Sequence, residues 1–146
     1  MSLLFNAFTK LHIRLYRATG GTIGGGMFGG KVLLLSTVGN QSGQPRTVPL
    51  MYFSAEGRTY IVASAGGAQT HPAWYKNLVA KPEVTVQIGA RVFKANAITI
   101  GAEERVRIFE QVKRQMKQFA EYEKKATSRE IPVVRLDEIG AQTSSS

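Results

Sequence analysis

Apolar and polar positions repeat with two different periods along this chain, and the changes of period divide it into elements. Residues 2–19 place Leu4, Phe8, Leu11 and Leu15 at helical spacing, flanked by Phe5 and Tyr16, with Lys10, Arg14 and Arg17 on a different face. That pattern predicts an amphipathic helix. It has two placements: packed on the domain, or laid on a membrane surface with its apolar side in the headgroup boundary and its cations toward anionic lipid. Glycines at 20, 21, 24, 25, 26, 29 and 30 predict a flexible linker over 20–30. Their spacing resembles a dinucleotide loop, but no strand precedes it and no helix follows, as a phosphate cradle requires.

From Lys31 the period shortens to two. Lys31–Val38 is apolar on both faces through Val32-Leu33-Leu34-Leu35, as in a central or barrel-closing strand. Arg46–Ser54 continues the sheet with Pro49 inside it, so Pro49 must fall on an edge, at a bulge or at a gap in the pairing. Glu56-Gly57 makes a tight turn into Arg58–Ser64, with Tyr60 and Val62 on one face. Thr70-His71-Pro72 opens a short helix with Thr70 as a candidate cap, Trp74 and Leu78 facing the core, and Asn77 toward the glycine turn upstream. Lys81-Pro82 ends it. Glu83–Ile88 and Arg91–Ile100 form a hairpin across Gly89-Ala90, a pair suited to a type II′ turn. From Ala102 to about Lys125 a single helix is expected, with Val106, Phe109, Val112, Met116 and Phe119 on its buried face and Glu103–Arg107, Glu110–Arg114 and Glu121–Lys125 pairs outside. Ile131–Leu136 is a last strand and 139–146 a flexible tail, with Asp137 near that loose end. The expected organisation is therefore a terminal helix (1–19), a linker (20–30), one domain (31–138) and a tail.

Two polar turns interrupt the strands. Gly39-Asn40-Gln41-Ser42-Gly43-Gln44-Pro45-Arg46 combines glycines, a hydroxyl and an arginine able to grip an anion in a fork. Ser64-Ala65-Gly66-Gly67 follows the next strand, so antiparallel pairing about Glu56-Gly57 carries both turns to one rim. Such a rim offers backbone N–H donors to a phosphate or a ring carbonyl.

Composition narrows the chemistry. The 146 residues suit one domain, and 43% hydrophobic with 20% charged residues exclude wholesale disorder. The net charge of +9 favours anionic partners without choosing among them. No stretch has the length and apolarity of a membrane span, and no export signal opens the chain, which predicts a cytoplasmic protein, peripheral at the inner face of the membrane if the first helix binds lipid. The absence of cysteine excludes thiol catalysis, and His12 and His71 as the only imidazoles with Asp137 as the sole aspartate argue against a metal cluster. Nothing resembles a nucleophile elbow, and most glutamates serve helix-surface pairs. If the protein is an enzyme, its reactive atom comes from a cofactor.

Several motifs, in order, resemble the deazaflavin-dependent nitroreductase family. They are Thr37-x-Gly39-x-x-Ser42-Gly43-x-Pro45-Arg46-x-x-Pro49-Leu50, Ala63-Ser64-x-Gly66-Gly67, Pro72-x-Trp74-Tyr75-x-Asn77-Leu78, Pro82-x-Val84-x-Val86 and Arg129-x-Ile131-Pro132-Val133. The resemblance spans about Lys31 to Leu136. It implies a mainly β, α+β fold: a split β-barrel with flanking helices, like the flavin reductases and pyridoxamine-phosphate oxidases.

It also implies coenzyme F-420 in the groove between the turns. The expected binding set is Gln41, Ser42, Gly43, Pro45 and Arg46 around the phosphate-bearing tail, and Val48 and Pro49 along the ring. Val62, Ala63, Ser64, Ala65, Gly66 and Gly67 would lie at the reactive edge, with Trp74 and Asn77 as the wall. Ser64, Tyr75 and Tyr122 are the catalytic candidates, with Phe119 beside them on the substrate side. Two positions depart from the family pattern: Gln41 and Ala65 stand where a basic residue is common. Charge-assisted hydrogen bonds contribute roughly 1.5–3 kcal/mol each, so losing two weakens binding by about two decades unless Lys31, Lys76 or a helix end compensates.

The resulting expectation is an F-420-dependent reductase delivering a hydride to a quinone, enone or nitroaromatic. The alternatives are a non-enzymatic lipid or fatty-acid binder and a barrel holding FMN or haem. A small-molecule hydride acceptor is the expected partner, with a membrane surface and a second copy in a homodimer as candidates. Nucleic acid is not expected, because no basic stripe carries stacking aromatics.

Overall fold

The computed structural model describes residues 10, 11, 13–17 and 30–140. Most of the expected first helix, linker residues 20–29, His12 and tail residues 141–146 lie outside the described residues. Six strands, β1 (Lys31–Val38), β2 (Pro45–Ala55), β3 (Arg58–Val62), β4 (Glu83–Ile88), β5 (Arg91–Thr99) and β6 (Val133–Glu138), close into an antiparallel barrel. Their order around it is β1-β2-β3-β6-β5-β4, with β4 returning to β1. This is the α+β barrel the motifs imply. Helices α1 (Ala73–Ala80), α2 (Ala102–Gln115) and α3 (Gln118–Lys125) flank it.

The two-faced apolarity of β1 has a direct cause. Leu33 and Leu35 pack into the barrel interior with Ile61, Val84, Val86, Ala95, Val134 and Leu136. Val32 and Leu34 point outward and are covered by Tyr16 and Ile13 of the helical residues 13–17. Full burial of each such side chain stabilises by about 1.5–3 kcal/mol. Tyr16 is 1% exposed, donates to the Val32 carbonyl at 2.9 Å and accepts from the Gly89 N–H at 2.9 Å. The described part of the first helix is therefore packed, but not through its leucine stripe: Leu11 and Leu15 are 53% and 37% exposed.

Both hairpins follow their sequence. Glu56 and Gly57 have φ of +53° and +75°, as a type I′ turn demands, while Gly89 alone is positive (+62°) beside Ala90, consistent with type II′. Pro49 pairs opposite Leu34, and β3 meets β2 only at Phe53–Ala55, so Pro49 occupies a gap in the pairing. That gap is the split in the barrel wall.

The expected single helix over 102–125 is two. Met116 is extended (φ −139°, ψ 102°) between α2 and α3, and the bend lets Phe119 meet Phe53 edge-on at 5.2 Å. Ile108, Phe109 and Val112 form the buried face; Val106, expected there, is 64% exposed. The expected i,i+4 pairs are replaced by Arg107 with Glu56, Lys113 with Glu110 and Lys124 with Glu121. Asp137 is not in a loose end but in β6, where it accepts from Arg135 at 2.9 Å. Pro72, not Thr70, is the N-cap of α1, and it makes no side-chain capping bond.

Candidate functional site

The first turn is closed by its own backbone. The Gly39 N–H donates to the Gln44 carbonyl at 2.7 Å and the Gly43 N–H to the Gly39 carbonyl at 2.9 Å. A Cβ at Gly39 would stand 2.5 Å from the Ser42 hydroxyl, so the close fold of this loop needs glycine there. Ser42 Oγ accepts from the Gln44 N–H at 3.2 Å and from Arg46 Nη2 at 3.4 Å. Asn77 of α1, 7% exposed, accepts from the Asn40 N–H at 2.9 Å and donates to Thr37 Oγ1 at 3.1 Å. It thus supports the first turn, not the glycine turn it was expected to face.

The second turn is left-handed over three residues: Ala65, Gly66 and Gly67 have φ of +48°, +65° and +88°. Following the right-handed Ser64, this run arranges successive N–H groups as a concave nest. Among the described residues the N–H groups of Ala65 and Gly66 and the hydroxyl of Ser64 make no hydrogen bond, although Ser64 is only 7% exposed. No buried side-chain polar atom among the described residues lacks a partner, so the unbonded Ser64 hydroxyl opens onto the adjoining cavity instead of being sealed in the protein.

Two cavities meet at Trp74, which lines both. The first, about 310 Å³, opens at the split in the wall, between Pro49, Leu50 and Met51 on one side and Val62, Ser64, Ala65 and Gly66 on the other. Gln118, Phe119 and Tyr122 from α3 close its far side. The second, about 440 Å³, is bounded by Asn40, Gln41, Ser42, Arg46, Lys76 and Asn77. Neither Arg46 nor Lys76 is in an ion pair among the described residues. One compartment is mainly apolar, with the unbonded hydroxyls of Ser64 and Tyr122 among its lining; the adjoining one carries two uncompensated cations.

Residues 8–138 match the family of F420H(2)-dependent quinone reductases. The chain belongs to this family. It is therefore an oxidoreductase. An F420H(2)-dependent quinone reductase of Mycobacterium tuberculosis (strain H37Rv) is 38% identical over 132 residues, 87% of each chain. A solved F420-H2 dependent reductase (FDR-A) is 38% identical with a TM-score of 0.65, covering 73% of this chain and 93% of its own. Another solved structure, described as a domain-swapped dimer, is 33% identical with a TM-score of 0.68, covering 88% and 95%. The haem storage protein HutZ of Vibrio cholerae shares the fold alone, at 14% identity and a TM-score of 0.57.

Against the residues expected to serve this F420H(2)-dependent chemistry, the cavities sort as follows. Gln41, Ser42, Arg46, Val48 and Asn77 line the second cavity; Pro49, Val62, Ser64, Ala65, Gly66 and Tyr122 line the first; Trp74 lines both. Gly43, Pro45, Ala63 and Gly67 line neither. Ala63 is fully buried and donates to the Pro132 carbonyl, while a Cβ on Gly67 would stand 2.8 Å from Lys125 Cβ and 3.1 Å from the Tyr122 carbonyl. Both hold the turn from behind. Tyr75 points elsewhere, its hydroxyl 3.0 Å from Thr99 Oγ1 and its ring against His71.

Sequence reasoning did not anticipate Val32, Leu50, Met51 and Gln118 in the first cavity, or Ala73 in the second, whereas Gly39 and Asn40 belong to the polar turn expected to hold an anion. The residues of β1 and β2 among them could have been found from the strand alternation once the Pro49 gap was placed. Gln118 could not, because it reaches the cavity through a bend at Met116 that no proline or glycine marks.

Proposed function

We propose that this chain binds coenzyme F-420 across both cavities and reduces a quinone-like acceptor, with the ring in the apolar compartment and the anionic tail in the cationic one. The observation that carries the reading is the pairing at Trp74 of an unpartnered Ser64 hydroxyl, open to the first cavity, with the uncompensated Arg46 and Lys76 of the second. The residues fit the group. Apolar walls suit a flat ring, free N–H groups and a hydroxyl suit its polar edge, and a guanidinium and an ammonium suit phosphate and carboxylate. Lys76 stands in for the cations absent at Gln41 and Ala65.

The chemistry that reduced F-420 supplies when bound is hydride donation to an electron-poor acceptor. The protein's own share is geometry. Arg46, Lys76 and Ser42 anchor the tail; Pro49, Val62 and Trp74 confine the ring; Ser64 and the Ala65 and Gly66 N–H groups orient its edge and hold a proton-bearing contact there. Phe119 and Tyr122 line the acceptor side from the far wall of the cavity, and Met51 and Phe119 exclude water from it. Anaerobic mixing of the protein, reduced F-420 and a soluble quinone analogue tests this. Recovery of the oxidised cofactor's visible absorbance is expected; no oxidation with any acceptor, together with no binding in titration, contradicts it.

A second part of the proposal is peripheral contact with a membrane. Lys10, Arg14 and Arg17 are exposed beside the exposed Leu11 and Leu15, while Tyr16 anchors the segment to the barrel, so cations and apolar groups face outward together. Substituting serine for Leu11 and Leu15 should reduce partition onto anionic vesicles; unchanged partition contradicts it. Among the described residues no helix is long and apolar enough to cross a membrane.

A further inference from the structure

The glycine turn is held in place by a side chain more than sixty residues downstream. Arg129, half-buried between α3 and β6, donates from Nε to the Ala68 carbonyl at 2.9 Å, from Nη1 to the Ala63 carbonyl at 3.0 Å and from Nη2 to the Ser64 carbonyl at 2.8 Å. Nη1 also lies 3.0 Å from His71 Nδ1. A guanidinium has no acceptor, so His71 accepts at Nδ1 and carries its proton on Nε2. Three carbonyls of one loop thus converge on a single planar group, which matches the fork of an arginine and no other side chain.

The charge on that group is not cancelled. Among the described residues Arg129 is in no ion pair, and its neighbour Glu130 pairs with Arg105 instead. Burial pulls the Arg129 pKa below its ordinary value, yet a guanidinium stays protonated in a protein. A positive charge therefore sits 2.8 Å from the Ser64 carbonyl, on a side chain that does not itself line the cavity. A second strap holds the same loop without charge: Gln69 Nε2 donates to the Lys125 carbonyl at 2.5 Å and Gln69 Oε1 accepts from the Ser128 N–H at 2.9 Å.

We propose that Arg129 is a positioning residue for the redox ring. By holding the Ala63, Ser64 and Ala68 carbonyls it aims the Ser64 hydroxyl and the free N–H groups into the first cavity, and its uncancelled charge makes the turn bind the reduced ring more tightly than the oxidised one. The inference rests on the cofactor assignment above. Its physical basis is that a hydride brings two electrons and one proton, so the ring gains one negative charge until a further proton reaches a ring nitrogen, and the fixed positive charge behind the turn favours that anionic reduced form.

The test is a pair of dissociation constants, for oxidised and for anaerobically reduced F-420, in the wild type, Arg129→Gln, Arg129→Lys and Gln69→Ala, with thermal unfolding alongside. Arg129→Gln should weaken binding of the reduced form about tenfold more than that of the oxidised form, the size of one charge-assisted contact. Arg129→Lys keeps the charge but cannot span three carbonyls, so both forms should bind more weakly while their ratio stays near wild type. Gln69→Ala should lower the unfolding temperature and leave the ratio unchanged. If Arg129→Gln does not fold, the lysine variant decides: wild-type affinity for both forms overturns the proposal. A wild-type ratio in Arg129→Gln, or an equal shift of the ratio in Gln69→Ala, also overturns it while the cofactor assignment stands. Failure of the wild type to bind either form overturns the assignment and this proposal together.

Discussion

The two turns that face Trp74 are built on opposite plans. The 39–46 turn is exposed at Asn40–Arg46, is closed by its own backbone, and takes one outside support from Asn77. The 64–67 turn is strained, with Ala65 at φ +48°, and is fastened from behind by Arg129, Gln69 and the close approach of α3 at Gly67. The first presents charge on an exposed side chain, suited to an anionic tail. The second presents a fixed array of donors, suited to a rigid ring edge whose reactivity depends on position. Binding strength and reaction geometry are thus assigned to separate loops.

That contrast can be broken most sharply at the glycines. Gly67→Ala adds a left-handed penalty to a clash with backbone and should cost about 3 kcal/mol in denaturant unfolding. Asn77→Ala leaves the Asn40 N–H and the Thr37 hydroxyl unsatisfied and should cost about 2 kcal/mol, measured in the same way. Arg46→Gln and Lys76→Gln should each weaken F-420 binding about tenfold in a fluorescence titration and leave the unfolding midpoint unchanged. Gly43→Ala, at φ +71° with nothing within 4 Å of the new Cβ, should cost only about 1 kcal/mol. Equal costs at Gly43 and Gly67 would erase the distinction between the turns.

The smallest effect is in pH. Burial, then the charges of Arg129 and Lys76, hold the His71 pKa below its ordinary 6.5. The unfolded chain therefore binds the proton more readily, and folding stability falls as pH drops below about 6.5 toward the folded-state value. His71→Gln, which retains an acceptor for Arg129, should flatten that part of the stability profile; an unchanged slope would assign it to other groups.

Much of this arrangement was legible in the sequence, for local reasons. The two-sided apolarity of Val32–Leu35, the Glu56-Gly57 and Gly89-Ala90 turns and the proline at 49 each act through backbone geometry within a few residues. Arg46 and Ser42 could be read because anion chemistry is concentrated in one loop. The rest depends on contacts distant in sequence. Tyr16 docks the first helix by a hydroxyl shared with Val32 and Gly89, so counting leucines selected the wrong face. Ile108, not Val106, shares a face with Phe109 and Val112, and the bend at Met116 follows the curvature of the barrel under Phe119. The strap from Arg129 joins positions more than sixty residues apart, and no local pattern announces it.

The central claim is that one ligand touches both turns at once. Backbone amide spectra of the isotope-labelled protein, recorded as F-420 is added, test it directly. The account predicts that Asn40–Gln44 and Ser64–Gly67 shift together on one binding curve while the Gly57–Thr59 hairpin at the other end of the barrel stays still. Shifts confined to one turn, or two curves with different midpoints, would contradict it.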